Sequence, residues 1–264
     1  FTFLTEEQCF DSSRKLEILE KRGTGAAITD FSILLGGFFS THNYKSLEDR
    51  AGWYWTSSYQ DEYRACTAQT DGSNYYVNVD LRSGGARPAL PYSSIRSISS
   101  NGVRGRDGIL EVEYGEYPQK VAPKWLQDEL EDAYNYNQSS IMKTGKTYTT
   151  DSRRDIEYGE KFSAQIIEEY SFIDGKKYVR VKANSYYDGD EFKLSNGERY
   201  KDGDYVWVEV QPIKWLVDEE NDIAISERIL FAGVQFNHER NYKDDFKSTT
   251  IKKFMDECFS KEII

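Results

Sequence analysis

Histidine and cysteine are scarce in this sequence. Its 264 residues include two histidines and three cysteines, and neither a CxxC nor an HxxxH pattern occurs. Zinc sites draw on such patterns, so we predict no metal ligands and no cofactor. Cys9, Cys66 and Cys258 form an odd and widely spaced set, which disfavours a disulfide framework and indicates a reducing compartment.

Long apolar runs are also missing. The longest, FSILLGGFF at 31–39, contains two glycines and is much shorter than the roughly 20 residues of a membrane helix. The first residues, FTFLTEEQ, lack the basic and apolar regions of a signal peptide. We therefore expect a cytoplasmic protein with no membrane partner. A signal peptide removed before residue 1 would leave secretion open.

Positive charge is in deficit, and the deficit is uneven. The net charge is −11, with 11 basic and 12 acidic side chains in residues 1–105 but 23 basic and 33 acidic ones in residues 106–264. An acidic surface repels phosphate backbones, so we expect no nucleic-acid partner.

A stretch rich in Ser, Gly and Arg at 91–108, PYSSIRSISSNGVRGRDG, separates two kinds of sequence. The preceding part is rich in Tyr, Gly and Ser, and the following part has charged strands and helices. Such a stretch is typical of a connector. We therefore predict one portion over 1–105 and an acidic α+β portion over 106–264, which could pack together as one unit.

The spacing of apolar residues predicts strands and helices in separate groups. Thr5 and Gln8 fit a capping box. Asn196-Gly197 fits a hairpin turn. Segregated elements indicate the α+β class. The predicted helices cover 12–22, 26–37, 123–136 with a stripe that includes Trp125, and a last amphipathic segment from Ile251 to Phe259; the predicted strands cover 74–81, 108–118, 177–184 and 204–218.

Three short segments follow one another in a suggestive order: GWYWTSS at 52–58, NYYVNVDL at 74–81 and GGARPAL at 84–90. In this order they resemble the last part of C-type-lectin-like domains of the formylglycine-generating-enzyme and retroelement variable-protein type. The resemblance implies an antiparallel sheet with flanking helices. Trp53 and Trp55 would share one strand face, and we expect both in the core.

The sequence lacks the chemical signatures of the active members of that fold. Glu-Pro-Asn, Gln-Pro-Asp and Trp-Asn-Asp triplets are absent, which argues against calcium-mediated sugar binding. Cys66 has no local partner cysteine, so formylglycine-generating activity is not expected. Cys66 lies in a polar setting near Arg64, which leaves a reactive thiol as one interpretation and a structural one as the other.

The second portion is similar to a bacterial and phage family of unknown function. The similarity rests on four segments, which are Gly115–Gln119, Pro212–Trp215, Ile225–Phe231 and Ser248–Phe259. It implies a bacterial or phage origin and leaves the activity open.

Residues 52–86 are rich in Tyr, Ser, Gly and Asn, a composition typical of adaptable binding surfaces. An ordinary short sheet with its loops would explain the same composition. If the segment is a binding surface, we expect its contacts to come from Tyr59, Tyr63, Arg64, Asn74, Tyr76, Asn78 and Arg82.

Our leading hypothesis is a non-enzymatic protein that recognises a protein partner through this surface. One alternative is a hydrolase that acts on a sugar or peptide with carboxylates in a cleft between the two portions. The other is a structural or assembly protein.

Overall fold

The structure is a computed structural model that describes residues 1–42, 44–100, 102–151, 164–184, 186, 190–237 and 245–264. It is mixed α+β, with antiparallel sheets and few helices. In these ranges no helix has both the length and the apolar character needed to span a membrane.

The helices are short apart from one. They are α1 (Glu6–Phe10), α2 (Glu17–Arg22), α3 (Asp30–Leu34), α4 (Lys124–Asn135), α5 (Thr250–Phe254) and α6 (Ser260–Glu262), with a π-helix at Met255–Phe259 and 3₁₀ turns at Leu47–Asp49, Tyr92–Ser94 and Phe246–Ser248.

The strands differ widely in length. They are β1 (Ala26–Ala27), β2 (Ala51–Gly52), β3 (Tyr54–Tyr59), β4 (Arg64–Ala68), β5 (Asn74–Asn78), β6 (Ala89–Pro91), β7 (Val103–Arg104), β8 (Leu110–Val121), β9 (Ile141–Asp151), β10 (Ala164–Phe172), β11 (Lys177–Lys182), β12 (Phe192–Lys193), β13 (Arg199–Tyr200), β14 (Tyr205–Asp218) and β15 (Ile223–Ser226).

The main sheet is built around β14, whose Val-, Ile- and Trp-rich sequence suits a strand with both faces covered. On one side β14 pairs with β8, and on the other it pairs first with β11 and then with β15. The sheet continues from β11 to β10 and β9, and from β15 to β6. Pro212 fits inside this central strand because the register with β8 shifts between Pro212 and Lys214.

The main hydrophobic core draws on both predicted portions. Trp55 packs on Phe236 at a ring distance of 5.1 Å. Phe31 of α3 lies 5.5 Å from Tyr117 of β8, which contacts Phe259 at 5.1 Å. In addition, β6 joins the main sheet from the first portion. The division at residue 105 remains a prediction, and the two portions share this core.

Local signals in the sequence are reproduced well. Both hydrogen bonds of the capping box between Thr5 and Gln8 are present. The Asn196-Gly197 turn joins β12 to β13. In the last helical segment Ile251 and Phe259 are buried, as their spacing predicts.

Three helical predictions need correction. Residues 12–16 lie before α2, which begins at Glu17. Residues 26 and 27 form β1, and α3 begins only at Asp30 because the side chain of Thr29 caps its first turn. Trp125 does not belong to the buried stripe of α4, since 67% of it is exposed. The helix buries Leu126 and Leu130 instead, and Trp125 lies about 100° around the axis from that line.

Candidate functional site

The segment GWYWTSS contains most of β3, the first strand of a small antiparallel sheet of β3, β4 and β5. Trp53 and Trp55 are buried and meet edge to face at 5.0 Å, which confirms that they share one face of the strand. Tyr54 is buried on the other face and donates a hydrogen bond to the Thr24 carbonyl at 2.7 Å. These aromatic residues therefore support the small sheet from within the core.

The seven candidate residues of the Tyr-rich segment fall into two groups. Exposed on the sheet and its loops are Tyr63, Arg64, Asn74 and Asn78; half-buried are Tyr59, Tyr76 and Arg82.

Two of the candidates hold the fold together. The ring of Tyr59 packs edge to face against Phe236 at 5.1 Å, and its hydroxyl is buried. The guanidinium of Arg82 donates to the carbonyl of Gly233 at 2.9 and 2.8 Å. Sequence alone could not reveal these roles because both contacts come from a segment more than 150 residues away.

Two further candidates are partly engaged. Arg64 donates through two N–H groups to Asp61 at 2.9 and 2.7 Å and lowers the pKa of that carboxyl. The hydroxyl of Tyr76 donates to Glu6 of α1, and this carboxylate raises the pKa of Tyr76 to about 12. The Tyr76–Glu6 contact fixes α1 against one face of the small sheet.

Among the residues that the structure describes, strand β5 is the edge of the small sheet and pairs with β4 alone. Strand β4 pairs Ala65 with Val77 and Thr67 with Tyr75. The bonds from Gln69 N–H to Ser73 O and from Val79 N–H to Tyr63 O belong to the same antiparallel register. Bonded and non-bonded pairs alternate in such a register, so Tyr75 and Val77 bond to β4.

The backbone groups of Asn74, Tyr76 and Asn78 consequently point away from β4. Of these, the carbonyl of Asn78 accepts from Leu81 N–H at 3.1 Å. The N–H and C=O groups of Asn74 and Tyr76 have no partner within the described ranges. Three of the predicted residues therefore mark an open sheet edge.

This edge is short, but it lacks three other features that usually block strand addition. Its sequence, NYYVN, contains neither lysine nor proline, and its pairing with β4 has no bulge. Tyr75, which was not among the candidates, is 62% exposed at the hairpin end. The alternation of residues along the strand does not predict this exposure, because Tyr75 shares a strand face with the half-buried Val77.

Unpaired charge next to the edge is negative. Glu62 is exposed beside the Asn78 end and makes no ion pair with any residue that the structure describes. Asp71 is exposed in the β4–β5 turn, where its carboxylate accepts from the Ser73 N–H and hydroxyl, which lower its pKa. Arg64 is neutralised by Asp61, so acidic groups stand at both ends of β5.

The reactive-thiol interpretation of Cys66 is wrong. Cys66 is completely buried in β4, and burial raises the pKa of its thiol to about 12. A thiol of this kind is almost entirely protonated near neutral pH and reacts slowly.

A cleft lies between the two predicted portions. It is a polar cleft of about 230 Å³, bounded by the start of α3, the β12–β13 turn, the end of β8, the middle of β14 and the segment after β15. Its lining includes Asp30, Gln119, Ser195, Lys214 and Arg228.

At the inner end of the cleft, Asp30 is buried and fully engaged. Its carboxylate accepts the N–H of Val121 at 3.0 Å, the N–H of Ser195 at 3.0 Å and the Ser195 hydroxyl. Arg50 lies 3.7 Å from the same carboxylate. Burial raises the pKa of Asp30, and these donors oppose the rise. Asp30 therefore ties three segments together and is not free to act on a ligand.

Among the described residues, no group of three or more His, Cys, Asp or Glu side chains is placed to hold a metal ion. His238 and Asp188 lie outside the described residues.

A scan of protein-family models, a search of curated proteins and a search of solved structures each found no match. The resemblance to C-type-lectin-like domains stays a prediction, as does the similarity to the bacterial and phage family.

Proposed function

We propose that this chain is a non-enzymatic binding protein that recognises a protein partner through the free edge of β5. An extended segment of the partner would add to β5 as a fourth strand of the small sheet. Main-chain hydrogen bonds would supply affinity, and side-chain contacts would supply specificity.

One observation carries this proposal. Within the described part of the chain, the outward N–H and C=O groups of Asn74 and Tyr76 are unpaired, on an edge strand that has no charged residue, proline or bulge. Natural sheet edges usually carry such blocking features unless pairing is useful.

The surroundings of the edge indicate what kind of segment fits. Glu62 and Asp71 place negative charge at its two ends, while Tyr75 offers an exposed aromatic ring near the turn. A complementary segment would have a short uncharged centre and Lys or Arg on its flanks. Exposed Tyr63 extends this surface beyond the strand.

Selection from a displayed library of random short peptides, followed by calorimetry on the winning peptides, tests the proposal. We expect basic residues to be enriched around an apolar centre. Asn74→Pro removes an outward N–H without touching the bonds to β4, since proline is tolerated where an edge N–H faces solvent. Asn74→Ala keeps that N–H and serves as the matched control.

The expected result is a loss of peptide affinity of tenfold or more, on the order of one to two hydrogen bonds, in Asn74→Pro and little change in Asn74→Ala. Circular dichroism should show both variants folded. Selected peptides that bind both variants as tightly as the original chain would refute strand addition, as would a selection that yields no binding peptide.

A further inference from the structure

The polar cleft between the two portions has an arrangement that the proposed function does not use. It shares no residue with the β5 edge, and its interior holds an amide whose orientation is fixed by the backbone around it. The kind of ligand that fits the cleft follows from the atoms at its inner end, the charges on its rim and its volume.

Gln119 forms part of the inner lining and is only 9% exposed. Its Nε2 donates to the carbonyls of Gln211 and Pro212 at 2.9 and 3.0 Å, where the ladder of β14 with β8 is irregular. Both amide hydrogens are thereby used. The Oε1 atom accepts no hydrogen bond in the described structure. It is not completely buried, so it offers an acceptor to the cleft.

The rim of the cleft carries cations without carboxylate partners. Lys120 pairs with Glu48 at 2.5 Å, but neither Lys214 nor Arg228 forms an ion pair in the described part of the chain. Arg228 is held by a 2.6 Å hydrogen bond from its Nη1 to the carbonyl of Glu48. Both cations therefore lie at the cleft with no carboxylate bound to them in the described ranges.

Of the three lining carboxylates, Asp30 and Glu48 already have partners, and Glu227 has none among the described residues. A free carboxylate and a free amide oxygen accept hydrogen bonds from hydroxyl groups. Lys214 and Arg228 attract an acidic group. A ligand that satisfies both sets of atoms carries several hydroxyls and one anion.

The volume restricts the ligand further. Sites for drug-sized molecules occupy roughly 300–1,000 Å³, and this cleft measures about 230 Å³. We propose that the cleft binds an acidic monosaccharide, with its anionic group at Lys214 and Arg228 and a hydroxyl donated to Oε1 of Gln119.

Calorimetry on the full chain at low ionic strength, with four probes, tests this assignment. The probes are glucose 6-phosphate, glucuronate, glucose and inorganic phosphate. We expect at least one acidic sugar to bind at least tenfold more tightly than glucose and than phosphate. Which of the two binds identifies the acidic group as a phosphate or a carboxylate.

Lys214→Gln should weaken this binding at least tenfold, because it removes a cation without disturbing a contact of the fold. Lys182→Gln is the matched control, since Lys182 is also an exposed strand lysine without an ion pair. It should change affinity less than twofold.

Three results would each overturn the assignment. They are the failure of both acidic sugars to bind, binding of glucose or phosphate as tight as that of the acidic sugar, and equal weakening in the two lysine variants. The β5 edge would be unaffected by any of them.

Discussion

Glu262 provides a sharp test of how the C-terminal segment is held. It lies on α6, is only 7% exposed, and accepts the backbone N–H of Thr149 in β9 at 2.6 Å. Its second oxygen, Oε2, is buried without a hydrogen-bond partner among the described residues, as is the hydroxyl of Tyr117. Burial raises the pKa of Glu262 from 4.5 to about 7, opposed by the hydrogen bond from Thr149 and by the charge of Lys146.

The direction of the pH effect follows from this rise. Between pH 4.5 and about 7 the folded chain keeps a proton on Glu262 that the unfolded chain has lost. The stabilisation is complete below the unfolded pKa and disappears as the pH rises through the folded pKa. A change of this size in the pKa corresponds to about 3 kcal/mol of unfolding free energy.

Glu262→Gln should remove this dependence, because the amide oxygen still accepts from Thr149 but the side chain no longer ionises. Urea unfolding of both proteins across pH about 4 to 8 would measure the difference. We expect the variant to match the original chain at the acid end and to exceed it by about 3 kcal/mol at the alkaline end.

Glu257→Gln is the matched control, since Glu257 is exposed on the preceding π-helix. Other carboxylates titrate equally in all three proteins and cancel in the differences. If the difference between Glu262→Gln and the original chain stays constant with pH, or if Glu257→Gln shows the same trend, the buried carboxylate does not govern the docking of α6.

Two stability predictions concern the core. Gly84→Ala should lower the unfolding free energy by about 1–3 kcal/mol, because an added Cβ would lie 2.2 Å from Nε1 of Trp55. An unchanged urea midpoint would mean that the indole moves aside at no cost. Asp30→Ala should cost about 3–5 kcal/mol because it leaves the buried charge of Arg50 without its counterion. A thermal unfolding midpoint equal to that of the original chain would contradict this role.

Much of the local structure could be predicted from neighbouring residues. The capping box at Thr5, the Asn196-Gly197 hairpin and the long strand β14 each depend on a short pattern. Trp53 and Trp55 were expected in the core because two large aromatics on one strand face bury much apolar area. The same reasoning fails for Trp125, because the width of the buried stripe of a helix depends on what packs against it.

The candidate surface was only partly predictable. The composition of residues 52–86 indicated a recognition segment, and Asn74, Tyr76 and Asn78 do mark an open edge. Tyr59 and Arg82 instead hold distant segments in place, and Tyr75 is more exposed than pattern suggested. Alternation assigns side chains to two faces of a strand, but it does not tell which edge will lack a neighbour.

The sequence by itself determined the α+β class, the net negative charge and local features such as the Thr5 capping box and the Asn196-Gly197 turn. These depend on composition and on residues a few positions apart. Only the tertiary structure decided that β5 is an edge, that Cys66 is sealed and that a polar cleft exists. Asp30 and Ser195, which bound that cleft together, are 165 residues apart in the chain. Contacts at that separation are set by how the sheets pack around a shared core, and no local pattern encodes them.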